Sequence, residues 1–73
     1  MDKEIKLSPR KREVYHLMLK GLSNEAIGAE LGLSYETIKQ YVSMVHRAFG
    51  VKTKLQLMAM RIAELERELT QRV

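Results

Sequence analysis

The 73-residue sequence predicts a small all-α domain of four helices, the last of them extended. Three observations carry this. No segment alternates apolar and polar residues with a period of two, and aromatics make up only 5% of the chain, so strands have no support. Helix caps and glycine breakers follow one another at regular intervals. Between them, apolar residues recur at helical spacing.

The first helix spans roughly 9–20. Ser8 is its N-cap and Pro9 fills the first helical position, where the missing N–H is harmless. Val14, Leu17 and Met18 repeat at i, i+3, i+4, and Gly21 closes the helix. Ser23 caps the second helix, about 24–31, with Glu25 in its acidic first turn. Ala26, Ile27 and Leu31 form its apolar side, and Gly32 ends it. The turn Gly32-Leu33-Ser34 is short: the glycine can take a left-handed conformation, the leucine points inward, and the serine caps the next helix.

The third helix runs over roughly 35–48, with Ile38, Val42, Val45 and Phe49 as one apolar stripe and Gly50 as the stop. At 100° per residue the opposite face holds Glu36, Gln40, Ser43 and Arg47, with Lys39 on its flank. Thr53 and Gln56 make a T-x-x-Q capping box that opens a fourth helix running to about residue 70. Residues 1–6, of mixed charge and no period, read as a flexible N-terminal arm ahead of one domain over 7–73.

Composition excludes much. The chain has no Cys, so disulfides, cysteine-ligated zinc and thiol catalysis are out. His16 and His46 stand thirty positions apart without a metal motif. No nucleophile–base pair or phosphate loop is present, so an enzyme is not expected, nor a cofactor. No apolar run is long enough for a transmembrane span. The start, Met1-Asp2-Lys3-Glu4, lacks a signal peptide's apolar stretch, which points to the cytoplasm. The net charge of +4 is uneven. Residues 1–60 hold ten cations and six acids, and residues 61–73 hold three of each. Between 37 and 54 stand Lys39, Arg47, Lys52 and Lys54 without any acid, the best candidate for an anion-facing surface.

Two helices joined by a three-residue turn containing glycine form a helix-turn-helix unit. In that unit the second helix presents its N-terminal residues to base edges in the major groove. Lys39 can donate to guanine, Gln40 can accept from and donate to adenine, and Ser43 is small and bifunctional. These three are the base-reading candidates. The free N–H groups at the start of the third helix, with the Ser34 and Thr37 hydroxyls, suit a phosphate oxygen. Ser23, Asn24, Tyr35, Arg47, Lys52 and Lys54 complete the backbone-contacting set, with covering the turn as the alternative role of Tyr35. Glu36 either accepts from a cytosine amino group or stabilises its helix N-terminus.

The strings Leu7-Ser8-Pro9-Arg10-Lys11-Arg12-Glu13-Val14, Gly21-Leu22-Ser23-Asn24-Glu25-Ala26-Ile27-Gly28, Leu33-Ser34-Tyr35-Glu36-Thr37-Ile38-Lys39 and Phe49-Gly50-Val51-Lys52-Thr53-Lys54 resemble the LuxR-type helix-turn-helix family. This is the four-helix DNA-binding domain of many bacterial response regulators and quorum-sensing regulators, found also as free-standing transcription regulators. The resemblance covers about residues 7–62. It implies transcription regulation by a dimer bound to double-stranded DNA, at the nucleoid. It also implies base contacts by Lys39, Gln40 and Ser43, and phosphate contacts by Thr37, Lys39, Lys52 and Lys54. The chain departs from the family's usual pattern in having Tyr41, Met44, Ala48 and Lys54 where His, Asn, a basic residue and Arg are common. It also has Arg10-Lys11-Arg12 in place of a more acidic run.

In the fourth helix Leu55, Met58, Ile62, Leu65 and Leu69 step by three, four, three and four, an a/d heptad pattern. It predicts a homodimer through 53–71, with Arg61 and Glu66 placed for an interhelical ion pair. The first turns, with Leu55, Leu57 and Met58, are expected to cover the core, and Ile62, Leu65 and Leu69 to extend past it. Two alternatives stay open. One is a sigma-factor region-four-like promoter-binding domain in contact with RNA polymerase. The other is a protein-interaction module, such as an anti-activator, pairing with another regulator through the last helix.

Overall fold

The computed structural model describes residues 6–71. It contains four helices: α1 (Pro9–Leu19), α2 (Asn24–Leu31), α3 (Tyr35–Phe49) and α4 (Lys54–Gln71). There is no strand among the described residues. The flexible arm expected over 1–6 lies almost wholly outside them, and Lys6 alone is seen, exposed and irregular.

The caps are those the residue types demand. Ser8 Oγ accepts from the Lys11 amide at 3.4 Å, Ser23 Oγ from Ala26 at 3.1 Å, and Ser34 Oγ from Thr37 at 3.1 Å. Each satisfies one of the N–H groups left orphaned at a helix start. Boundaries shift by a residue. α1 ends at Leu19, because Lys20 is its C-cap, and α3 extends to Phe49. The Thr53–Gln56 box forms in a displaced version. The Gln56 amide donates to Thr53 Oγ1 at 3.0 Å, but Gln56 Oε1 accepts from the Lys52 amide at 2.7 Å instead of from Thr53.

Two glycines shape the turn between α2 and α3. Gly32 has φ +71° as the α2 C-cap, a conformation that costs a side-chain-bearing residue about 1 kcal/mol or more. Gly28 is buried, and its Cα faces the Leu33 carbonyl so closely that a Cβ would lie 2.7 Å from that oxygen. The Leu33 amide in turn donates to Gly28 O at 2.9 Å. This close approach sets how α3 departs from α2.

One core joins all four helices: Val14 and Met18 from α1, Ile27 from α2, Ile38 and Val45 from α3, Leu57 from α4. Leu17, Leu22, Leu31, Leu33, Val42 and Met60 pack around it, and Tyr15 stacks on Phe49 with ring centroids 4.9 Å apart. Burial pushes the Tyr15 phenol above its ordinary pKa, against the nearby Arg61 charge. Of the residues expected to cover the core from the first turns of α4, Leu57 does and Leu55, 77% exposed, does not. The two lie 200° apart on a helix, so one cannot face the core with the other. A lysine latch fixes the start of α4: Lys54 Nζ donates to the Leu22 carbonyl at 2.8 Å, across 32 positions of chain.

Candidate nucleic-acid interface

α3 is held by its inner stripe, Ile38 and Val45 fully buried with Val42 and Phe49 packed beside them. This fixes its rotation. Lys39, Gln40, Ser43 and Arg47 are therefore all exposed, and Gln40, Ser43 and Arg47 align along one face at steps of three and four. The base-reading candidates thus share one outward surface. Met44, 39% exposed, sits on its flank and adds an apolar group able to meet a thymine methyl.

The N-terminal end of α3 is more ordered than its sequence suggests. Ser34 Oγ accepts from the Thr37 amide and donates to Thr37 Oγ1 at 2.9 Å. Both hydroxyls stand beside the free amides of the first turn, and Thr37 Oγ1 keeps a proton to donate. Lys39 Nζ rests over the Tyr35 ring, 5.6 Å from its centroid. This cation–π contact spans one turn and limits where the ammonium can go. Sequence reading gave Tyr35 a sugar-phosphate contact or the turn to cover. The i, i+4 aromatic–cation spacing was the available signal for its hold on Lys39.

The remaining candidates form a second group. Lys52 lies exposed in the α3–α4 turn, about 20 Å from Ser34 along α3. Lys54 is half-buried, and its bond to Leu22 O places it next to Ser23 and Asn24 at the start of α2. One of its three donors is therefore engaged inside the domain. Among the described residues no acid pairs with Lys39, Arg47, Lys52 or Lys54, the ion pairs being Arg10–Glu13 and Arg61–Glu64. Arg61 binds Glu64 on its own helix at 3.1 Å.

His46 is a different case. Its Nε2 is buried without a hydrogen-bond partner, and burial lowers its pKa below the ordinary histidine value. Among the described residues no cluster of His, Asp and Glu is arranged to hold a metal. No described helix is long and apolar enough to cross a membrane.

Residues 6–61 match the family described as bacterial regulatory proteins, luxR family. The chain belongs to this family. Its members are DNA-binding transcription regulators, not enzymes, so this is a luxR-family DNA-binding regulator domain. It is 46% identical over 52 residues to the two-component response regulator PprB of Pseudomonas aeruginosa, an alignment covering 71% of this chain and 19% of that protein. It is 32% identical over 62 residues to the spore germination protein GerE of Bacillus subtilis, covering 82% of this chain and 84% of that protein. The chain thus spans about a fifth of the length of PprB. No solved structure matches.

Proposed function

We propose that this luxR-family domain reads duplex DNA by seating α3 in the major groove, as a homodimer formed through α4. The observation that carries the first part is the exposed face of Gln40, Ser43 and Arg47, with Lys39 poised on Tyr35 beside it. Lys39, Gln40 and Ser43 touch base edges. Ser34, Tyr35 and Thr37 approach a phosphate at the start of α3. Ser23, Asn24, Lys52 and Lys54 hold the backbone near the opposite end, and Arg47 contacts it along the helix.

The dimer rests on the outer half of α4. Leu55, Ile62, Leu65 and Leu69 are 77%, 55%, 42% and 64% exposed, and Met58 lies half-buried on the same stripe. Four large apolar side chains on one helix face strongly favour a cover. A two-fold pair would set its two α3 helices about 34 Å apart, on successive turns of a near-palindromic site. The protein then acts at the nucleoid, in the cytoplasm. The same stripe favours one second reading, in which α4 pairs with another regulator.

Selection of bound sequences from a random duplex pool, at fixed salt, tests the proposal. Lys39→Gln is expected to relax preference at one position by about 1–3 kcal/mol. Lys52→Gln is expected to weaken all sequences alike and reduce the salt exponent by about one. Affinity unchanged in both variants would overturn the α3 reading. Sedimentation of Ile62→Glu/Leu65→Glu tests the dimer. A wild type that is monomeric at tens of micromolar, with or without DNA, would remove it and favour a foreign partner for α4.

A further inference from the structure

The start of α1 carries cations where α2 and α3 carry acids. α2 and α3 each carry an acid in the first turn, Glu25 and Glu36, whereas α1 has none. In its place stand Arg10, Lys11 and Arg12. A helix N-terminus carries partial positive charge, so cations there work against the helix. Two of the three have partners. Arg10 binds Glu13 at 2.9 Å, and Arg12 reaches the Leu7 carbonyl at 3.4 Å. Among the described residues the Lys11 ammonium has none.

Lys11 instead lines a shallow cleft with Met44, Arg47 and Ala48 of α3. Two cations and two apolar side chains make this wall, and no acid does. On the α3 wheel Met44 and Ala48 lie about 40° and 80° to one side of Gln40, while Lys39 lies about 100° to the other. Arg47 stays on the outward face between them. The fold therefore places a cation on each flank of α3: Lys39 from the helix itself, and Lys11 from a helix outside the helix-turn-helix. A helix lying in the major groove has one phosphodiester strand on each side. Met44 and Ala48 add apolar surface to the same cleft, the kind of surface along which a lysine stem packs while its charged end stays in water.

We propose that Lys11, together with Arg47, grips a phosphate of the DNA backbone that runs along the Met44–Ala48 side of α3. The inference rests on the reading of α3 as the groove helix. It adds a contact from α1 that neither the cap pattern nor the α3 face supplies.

The test compares wild type, Lys11→Gln, Lys11→Arg and Lys39→Gln on the selected duplex and on an unrelated duplex, across 0.05–0.3 M salt. With Lys11→Gln, affinity is expected to fall about threefold to tenfold on both duplexes, and the salt exponent to drop by about one. Base preference should not change. Lys11→Arg should restore binding. The Tm of Lys11→Gln should equal or exceed that of wild type, because a charge opposing the helix dipole is gone. A merely structural lysine would lower Tm and leave the salt exponent unmoved. Wild-type affinity and exponent in Lys11→Gln, while Lys39→Gln still weakens binding, would overturn this inference and spare the α3 reading. Indifference of both variants would overturn both.

Discussion

Gly28→Ala is the sharpest test of how the two central helices are joined. The new Cβ would stand 2.7 Å from the Leu33 carbonyl oxygen. Carbon–oxygen contacts in proteins begin at about 3.3 Å, so roughly 0.6 Å must be found. The obstacle is backbone, not the end of a flexible side chain. It belongs to the turn whose Leu33 amide is bonded back to Gly28 O. Widening the gap therefore strains that bond and moves α3 away from α2. The second neighbour, Ile38 Cγ1 at 3.6 Å, is in ordinary contact and adds little. Overpacking of this kind costs about 1–3 kcal/mol. Alanine's better helix propensity returns up to about 1 kcal/mol. The expected result is a net loss of about 1–2 kcal/mol, a drop in Tm of roughly 5–15 °C for a domain this small. Thermal melts followed by circular dichroism measure it. Ala29→Gly, next door and exposed, is the control and should lose about 1 kcal/mol through propensity alone. A Gly28→Ala variant as stable as wild type would refute the reasoning.

Leu57 is the only α4 residue in the fully buried core of the described residues, so Leu57→Ala should cost about 2–5 kcal/mol and leave α4 loosened, as urea titration and amide exchange would show. His46 has a folded pKa below its unfolded value, so the unfolded chain binds the proton more readily. Stability should be full above about pH 6.5 and fall as the pH drops below it. His46→Gln should flatten that limb in melts at pH 5 and pH 7.5. Ser34→Ala removes the α3 cap and the Thr37 hydroxyl's partner together, an expected loss of about 1 kcal/mol in denaturant midpoint. Thr37→Val, which keeps the cap, should lose less.

Most of the fold was legible because its signals are local. A serine followed by a helical repeat marks a start whatever surrounds it, and Ser8, Ser23 and Ser34 all cap as read. The outward face of α3 was legible for the same reason, since one inner stripe fixes one outer face. Leu55 was expected on the core beside Leu57, but two residues 200° apart on one helix cannot both face it. Leu57, outside the a/d pattern, makes that contact. Lys54 looked like any surface cation, and only tertiary structure brings it to Leu22. The partnership of Lys11 with Arg47 depends on how α1 lies along α3, which no spacing within either helix encodes.

On the proposed reading, the Lys54–Leu22 bond links the domain's two surfaces. It braces the root of the last helix against the segment that launches the helix-turn-helix. Whatever settles on the leucines of α4 therefore meets a helix tied to the base of α2 by this bond and to the core by Leu57.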